Sequence, residues 1–245
     1  HTLSIDGAGT LSNASESPLV IDQTDSTLHL ISTGIISGPV KLERGNLKSS
    51  GSATISGTLT QYNSASIEVS TDQSLSYTGP SLSLGASTLS LSGGGSFANT
   101  NPLVLDNAES KLQLNSIIVD SVSTSVDNSL GVEVANDSTI SSLSISNITP
   151  VSIATGMTLS GAIGVTSGSI KLTDTGTLAS AVSMSGGTTL DVDNSLTVSG
   201  VLTQSGDTTI DVAETSTLTY TGSSLSLGAS TLSLSGGGVF TNTNP

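Results

Sequence analysis

The sequence predicts an all-β fold, a parallel β-helix wound as a right-handed β-solenoid, with three short strands and about 20 residues in each coil. Three observations support this fold. Apolar residues alternate with polar ones in short bursts, corresponding bursts recur at a nearly fixed distance, and long stretches of the chain repeat in tandem. No apolar stripe with helical spacing competes with these patterns.

The alternation has the period of a β-strand, in which every second side chain points to the same face. It appears as LHL, VKL, IEV, LSY and LSL, which begin at positions 28, 40, 67, 75 and 82. Further bursts begin at positions 89, 103, 112, 117, 143, 170, 190, 196, 210, 218 and 225. Corresponding bursts, such as those at 67 and 89 or at 190 and 210, are separated by about 20 residues. Three strands in so short a distance suit one solenoid coil better than the hairpins of a sandwich.

A tandem repeat supports the same fold. Residues 77–102 return as residues 220–245 with 23 of 26 identical, residues 56–77 match 199–220 at the same offset, and residues 1–22 resemble 87–106. The chain is therefore interpreted as one continuous solenoid, residues 1–245, with repeat units 1–86, 87–229 and a partial unit 230–245. The second complete unit is longer than the first by close to three coils, as expected where whole coils are inserted.

Alternation also predicts which side chains face the core. Leu89 and Leu232 are expected inside and Ser90 outside, while Tyr77 and Tyr220 are expected to replace an inward aliphatic residue. The glycine runs 93–95 and 236–238 are expected at corners, where a positive φ is needed. Neither end of the chain resembles a cap, so both are expected to be open β-edges on one axis.

The composition excludes several classes of function. The 245 residues include 19 acidic and 5 basic residues, for a formal net charge of −14, so nucleic acid is not an expected partner. No long apolar run predicts membrane insertion and no signal peptide is evident, so the segment is expected to be soluble and already processed. The absence of cysteine suits a secreted protein, and we expect an extracellular or cell-surface location.

The pattern YTG-x-SLSLG-x-STLSLSGGG at residues 77–95 resembles the repeats of large secreted bacterial adhesins and autotransporter passengers, which are rich in leucine, serine, threonine and glycine. The likeness covers nearly the whole chain and is one of composition. It implies an extracellular right-handed β-helix that serves as a stalk, a fibre or an adhesin.

Few residues suit a catalytic or metal site. His1 and His29 are the two histidines and there is no cysteine, which nearly excludes a histidine–cysteine metal site or a thiol nucleophile. The best acidic cluster is Asp191 and Asp193, followed one coil later by Asp211, with these carboxylates expected on the outer face. Stacked carboxylates of this kind suit Ca²⁺, but a solvated acidic face is the favoured interpretation, and no other cofactor is expected.

The leading functional hypothesis is structural. The chain is interpreted as a repeat segment of an extracellular fibre, filament or cell-surface stalk, whose partners are copies of itself, end to end or laterally. The alternative is an adhesin that binds a surface glycan or a neighbouring cell through one face of the solenoid, although most of the five aromatic residues are expected to point inward. A polysaccharide-active enzyme ranks third, and no enzymatic activity is expected because the acids are scattered and the bases sparse.

Overall fold

The computed structural model describes residues 1–14, 16–127, 130–223, 225 and 227–244. Across these residues the protein is all-β: a solenoid of about 11 turns, with about 21 residues per turn and three parallel sheets. The parallel β-helix predicted from the sequence is therefore confirmed.

The described part of the chain forms 31 strands, most of them short. In chain order they are β1 (Thr2–Ile5), β2 (Thr10–Leu11), β3 (Leu19–Ile21), β4 (Thr27–Leu30), β5 (Ile35–Ile36), β6 (Val40–Leu42), β7 (Asn46–Ser49), β8 (Thr54–Ile55), β9 (Leu59–Gln61), β10 (Ala65–Val69), β11 (Ser74–Tyr77), β12 (Leu82–Ser83), β13 (Thr88–Ser92), β14 (Ser96–Asn99), β15 (Leu103–Leu105), β16 (Lys111–Asn115), β17 (Ile118–Thr124), β18 (Gly131–Asn136), β19 (Ser138–Ile145), β20 (Ile148–Ile153), β21 (Thr158–Val165), β22 (Ser169–Leu172), β23 (Thr177–Leu178), β24 (Ala181–Ser185), β25 (Thr189–Val192), β26 (Leu196–Val198), β27 (Leu202–Ser205), β28 (Thr208–Val212), β29 (Thr217–Tyr220), β30 (Leu232–Gly236) and β31 (Val239–Asn242).

The strands stack into three sheets that run along the solenoid. Sheet A has the order β1-β4-β7-β10-β13-β16-β18-β20-β22-β25-β28-β30. Sheet B follows β2-β5-β8-β11-β14-β17-β19-β21-β23-β26-β29-β31, with β12, β15, β24 and β27 beside this path, and sheet C contains β3, β6 and β9. Each turn therefore advances the chain by one strand spacing, about 4.8 Å.

The core consists of aliphatic columns parallel to the solenoid axis. In β13, for example, Leu89 and Leu91 are buried and Ser90 is half-exposed, as the alternation predicts. Interior residues of a column lie between apolar side chains from the coils before and after, and burial of each contributes about 1.5–3 kcal/mol. One column of sheet A passes in register through Leu3, Leu28, Leu47, Ile67, Leu91, Leu114, Val134 and Ile153.

The glycine runs lie at corners, as expected. Gly93 has a φ of +112°, and a Cβ added there would lie 2.3 Å from the carbonyl oxygen of Val69 in the preceding coil. Gly236, its counterpart in the second repeat, has a φ of +85° and the same relation to Val212. Both the backbone conformation and the close approach of the neighbouring coil therefore require glycine.

Two buried tyrosines interrupt the stacking of the third face. Tyr77 and Tyr220 are fully buried, as predicted, and the Tyr77 ring stacks on that of Phe97 with centroids 6.2 Å apart. The Tyr77 hydroxyl accepts a hydrogen bond from the backbone N–H of Leu59 in β9 at 3.1 Å. Sheet C ends at β9 in the described part of the chain, and the next strand on this face, β12, pairs with β15 of sheet B instead.

The terminal coils leave apolar side chains uncovered. Leu234 in β30 is 58% exposed, whereas Leu91, its counterpart in the first repeat, is buried beneath Leu114 of the next coil. Leu3 in β1 is also half-exposed. The expectation that Leu232 is a core residue is only partly met, because β30 pairs with β28 alone among the described strands and Leu232 is half-buried.

Candidate functional site

The outer face of sheet A carries the predicted acidic cluster within a series of ion pairs. Lys48 pairs with Glu68 at 2.8 Å, and Lys111 pairs with Glu133. In each pair the acid lies on the coil after the lysine. The paired side chains are half-exposed, so each pair contributes at most about 1 kcal/mol to stability.

The third lysine of this face lies against the cluster itself. The Lys171 ammonium is 3.4 Å from a carboxylate oxygen of Asp191 and 3.0 Å from one of Asp193. Strand register places Asp191 between Lys171 on one side and Asp211 on the other. The expectation that Asp191 and Asp211 stack on adjacent coils is therefore confirmed, and Asp211 in turn accepts a hydrogen bond from the hydroxyl of Ser235.

The electrostatics of the cluster follow from this arrangement. Partial burial raises the pKa of the Asp191 carboxyl above its ordinary value; Lys171 acts to lower it, while Asp193 and Asp211 raise it further. The pKa of Lys171 is also raised, chiefly by its hydrogen bond to Asp193. The fold thus disfavours the ionised form of Asp191.

Calcium binding at Asp191, Asp193 and Asp211 stays a prediction. The described residues contain no group of three or more acidic, histidine or cysteine side chains arranged to hold a metal ion. The ammonium of Lys171 already lies against two of the three carboxylates, and a cation would have to displace it. Lys171 was not among the predicted site residues, although its position one coil before Asp191 could have identified it.

His29, one of the two histidines, lies on the same outer face. Its Nε2 is hydrogen-bonded to the Ser50 hydroxyl at 2.8 Å, and its register neighbours are Ser4 and Lys48. A triad needs a carboxylate on the second ring nitrogen, and the hydrogen bonds of the described residues include no carboxylate on His29.

Several remaining carboxylates connect successive coils. Each accepts a hydrogen bond from a backbone N–H about one turn away, and a charged acceptor strengthens such a bond. The backbone N–H donates to the aspartate Oδ1 in four pairs: Gly85 and Asp106 (2.9 Å), Ile148 and Asp127 (3.0 Å), Thr158 and Asp137 (2.7 Å), and Thr231 and Asp207 (2.7 Å). The acidity of the chain thus has a structural use, since carboxylates complement backbone donors at the corners.

Comparison with protein families, with curated proteins and with solved structures returns no match for this chain. The described residues include no helix that is both long and apolar enough to cross a membrane.

Proposed function

We propose that this chain is a structural segment of an extracellular fibre or cell-surface stalk, with a function that depends on length and stiffness. The observation that supports this proposal is the continuity of its contacts. A single cluster of buried side chains extends from Ile21 to Tyr220, and each interior coil is joined to its neighbours by parallel ladders. About 11 turns at one strand spacing per turn correspond to a rod of about 50 Å.

The partner proposed for this segment is a second copy, stacked end to end. Leu234 and Val239, which are 58% and 55% exposed, lie on the two terminal strands β30 and β31. Leu3 and Ile5 offer matching aliphatic side chains on β1. A strand with a free edge and uncovered apolar residues pairs readily with another strand of the same kind.

Leu234→Asp tests this proposal, with Leu91→Asp as its matched control at the equivalent position of the first repeat. Leu234→Asp should leave the fold intact and abolish concentration-dependent end-to-end association, measured by analytical ultracentrifugation and electron microscopy. Leu91→Asp should instead unfold the surrounding coils, because it places a charge in a fully buried column. If the unsubstituted chain stays monomeric at every concentration, the self-association proposal is wrong.

A second function, glycan binding by one face, is favoured by a single observation, the exposed side chain of Tyr62. Among the described residues, no comparable observation favours polysaccharide cleavage.

A further inference from the structure

A cleft opens where sheet C ends. It lies between β9 and β12, has a volume of about 430 Å³, and is lined by residues 58–62 and 81–87. These lining residues carry no formal charge. The cleft exists because the Leu59 N–H donates its hydrogen bond to the Tyr77 hydroxyl. A following strand in sheet C would otherwise accept that hydrogen bond. The cleft is therefore a consequence of how the core is packed.

An exposed aromatic ring stands at the edge of this cleft. Tyr62 is 64% exposed, while Tyr77 and Tyr220 are buried. The Lys41 ammonium lies 4.4 Å from the centroid of the Tyr62 ring, and Glu43 neutralises Lys41 through an ion pair. Lys41 belongs to the coil before Tyr62 and residues 81–87 belong to the coil after it, so the lysine and the rest of the cleft lie on opposite sides of Tyr62 along the solenoid axis.

Polar groups also line this cleft. Gln61 is among the lining residues, but it is 8% exposed and its amide donates to the carbonyl oxygens of Asn63 and Thr88, so it shapes the floor of the cleft. Two exposed hydroxyl-bearing residues, Thr58 and Ser81, add polar groups along the rim, while the Ser83 hydroxyl donates to the carboxylate of Asp106. The hydroxyl of Ser87 donates to the carbonyl oxygen of Tyr62 at 2.9 Å and holds the backbone below the ring. Aromatic and polar groups thus converge on one uncharged concavity.

We propose that this cleft binds a neutral hexopyranose unit of a glycan, with one face of the sugar stacked on Tyr62. A pyranose presents an apolar C–H face and a rim of hydroxyl groups, and the cleft offers a matching ring and matching polar groups. An anionic sugar is disfavoured, because the lining residues offer no cation, Lys41 is paired with Glu43, and the Asp106 carboxylate is hydrogen-bonded to Ser83 and Gly85 at the lining. An added peptide strand fits less well, because Tyr77 already uses the Leu59 N–H on the free edge of β9.

The second repeat provides an internal comparison. There Tyr220 accepts a hydrogen bond from the Leu202 N–H at 3.2 Å, so the same interruption recurs. Ser205 stands where the first repeat has Tyr62, and Gln204 Oε1 is bonded to the Thr208 hydroxyl. The aromatic ring is therefore absent at this second position. The proposed site is therefore confined to the first repeat.

Nuclear magnetic resonance with labelled tyrosine tests the proposal, because only one of the three tyrosines is exposed. The probes are cellotetraose, maltotetraose and chitotetraose, titrated into the whole chain. We expect at least one of them to shift the ring resonances of Tyr62 saturably and to leave those of Tyr77 and Tyr220 unchanged. Saturable binding without a response from Tyr62, or no binding by any of the three, would overturn the proposal.

Two variants separate stacking from folding. Tyr62→Ser copies the second repeat and should weaken binding by about 10-fold or more, equivalent to about 1.4 kcal/mol, while Tyr62→Phe keeps the ring and should stay within about twofold. Both should unfold at the same urea concentration as the parent chain, since Tyr62 lies outside the core. Undiminished binding by Tyr62→Ser, or binding of an extended valine–threonine peptide in place of the sugars, would contradict the stacking argument.

Discussion

Replacing Ala65 by threonine is expected to stabilise the solenoid. Gln61 is buried, and its Oε1 has no hydrogen-bond partner. In the second repeat the equivalent oxygen, on Gln204, accepts a hydrogen bond from the Thr208 hydroxyl at 2.7 Å. Thr208 is the counterpart of Ala65 when the two repeats are aligned. The absence of one hydroxyl group therefore explains the unpaired oxygen in the first repeat.

The magnitude follows from two opposing effects. A new intramolecular hydrogen bond contributes about 0.5–1.5 kcal/mol, and the desolvation penalty of an unpaired buried acceptor is about 1–3 kcal/mol. Threonine also adds two heavy atoms, and overpacking costs about 1–3 kcal/mol where space is lacking. Because Thr208 fits at the matching position with 3% exposure, against 7% for Ala65, we expect little overpacking. The free energy of unfolding should rise by about 1 kcal/mol.

Urea unfolding followed by circular dichroism measures this change. Ala65→Val is the matched control, because valine has nearly the shape of threonine without its hydroxyl group. We expect Ala65→Thr to raise the urea midpoint above that of Ala65→Val. The reverse substitution, Thr208→Ala, should leave Gln204 Oε1 unpaired and cost about 1–3 kcal/mol. Equal midpoints for the threonine and valine variants would refute the hydrogen-bond argument.

Three further predictions concern the buried side of sheet A and its acidic outer face. Leu89→Asp should lower the free energy of unfolding by about 4 kcal/mol or more, because it buries an unpaired charge. Ser90→Asp, at a half-exposed position, should lower it by less than about 1 kcal/mol. Equal urea midpoints for the two variants would show that the inner and outer faces of the strand are reversed. Asp211→Lys should stabilise the chain by about 0.2–1 kcal/mol, since it replaces the stacked carboxylates of Asp191 and Asp211 by an opposite-charge pair. An unchanged or lower urea midpoint would contradict this prediction. The raised pKa of Asp191 means that the native chain holds this proton more tightly than the unfolded chain does, so its contribution to stability should fall as pH rises through the range just above 3.8. Asp191→Asn should remove that part of the pH dependence in urea midpoints measured between about pH 4 and 7.

The fold could be predicted because the sequence shows two periods, the alternation within a strand and the recurrence of strands once per coil. Alternation identifies the inward side chains, such as Leu89, and the recurrence of the bursts once per coil places equivalent strands on adjacent coils. The same recurrence predicts that Asp191 and Asp211 stack. The two-residue period sets which face of a strand a side chain occupies, and the coil period sets which residue lies beside it on the next coil. Because the strands stack parallel and in register, both periods fix the positions of the side chains.

The ion pairs and the cleft were not predicted, for different reasons. Lys171 lies one coil before Asp191, so a search for opposite charges at the coil spacing would have found the pair. The cleft has no such signal, because it depends on how far the Tyr77 hydroxyl reaches across the core to Leu59 in another sheet. Alternation places Tyr77 inside, but it does not report the length of a side chain or its polar end.

Comparison of equivalent residues in the two repeats shows which residues the fold requires and which it tolerates. Equivalent positions of the two repeats share a place in the coil, so an identical pair such as Tyr77 and Tyr220 reflects a common structural role. A position that differs, such as Tyr62 against Ser205, is not dictated by the coil, because both residues occur at the same exposed site. The first repeat, beside its cleft, is therefore the place to look for a partner, while the shared positions account for the rod.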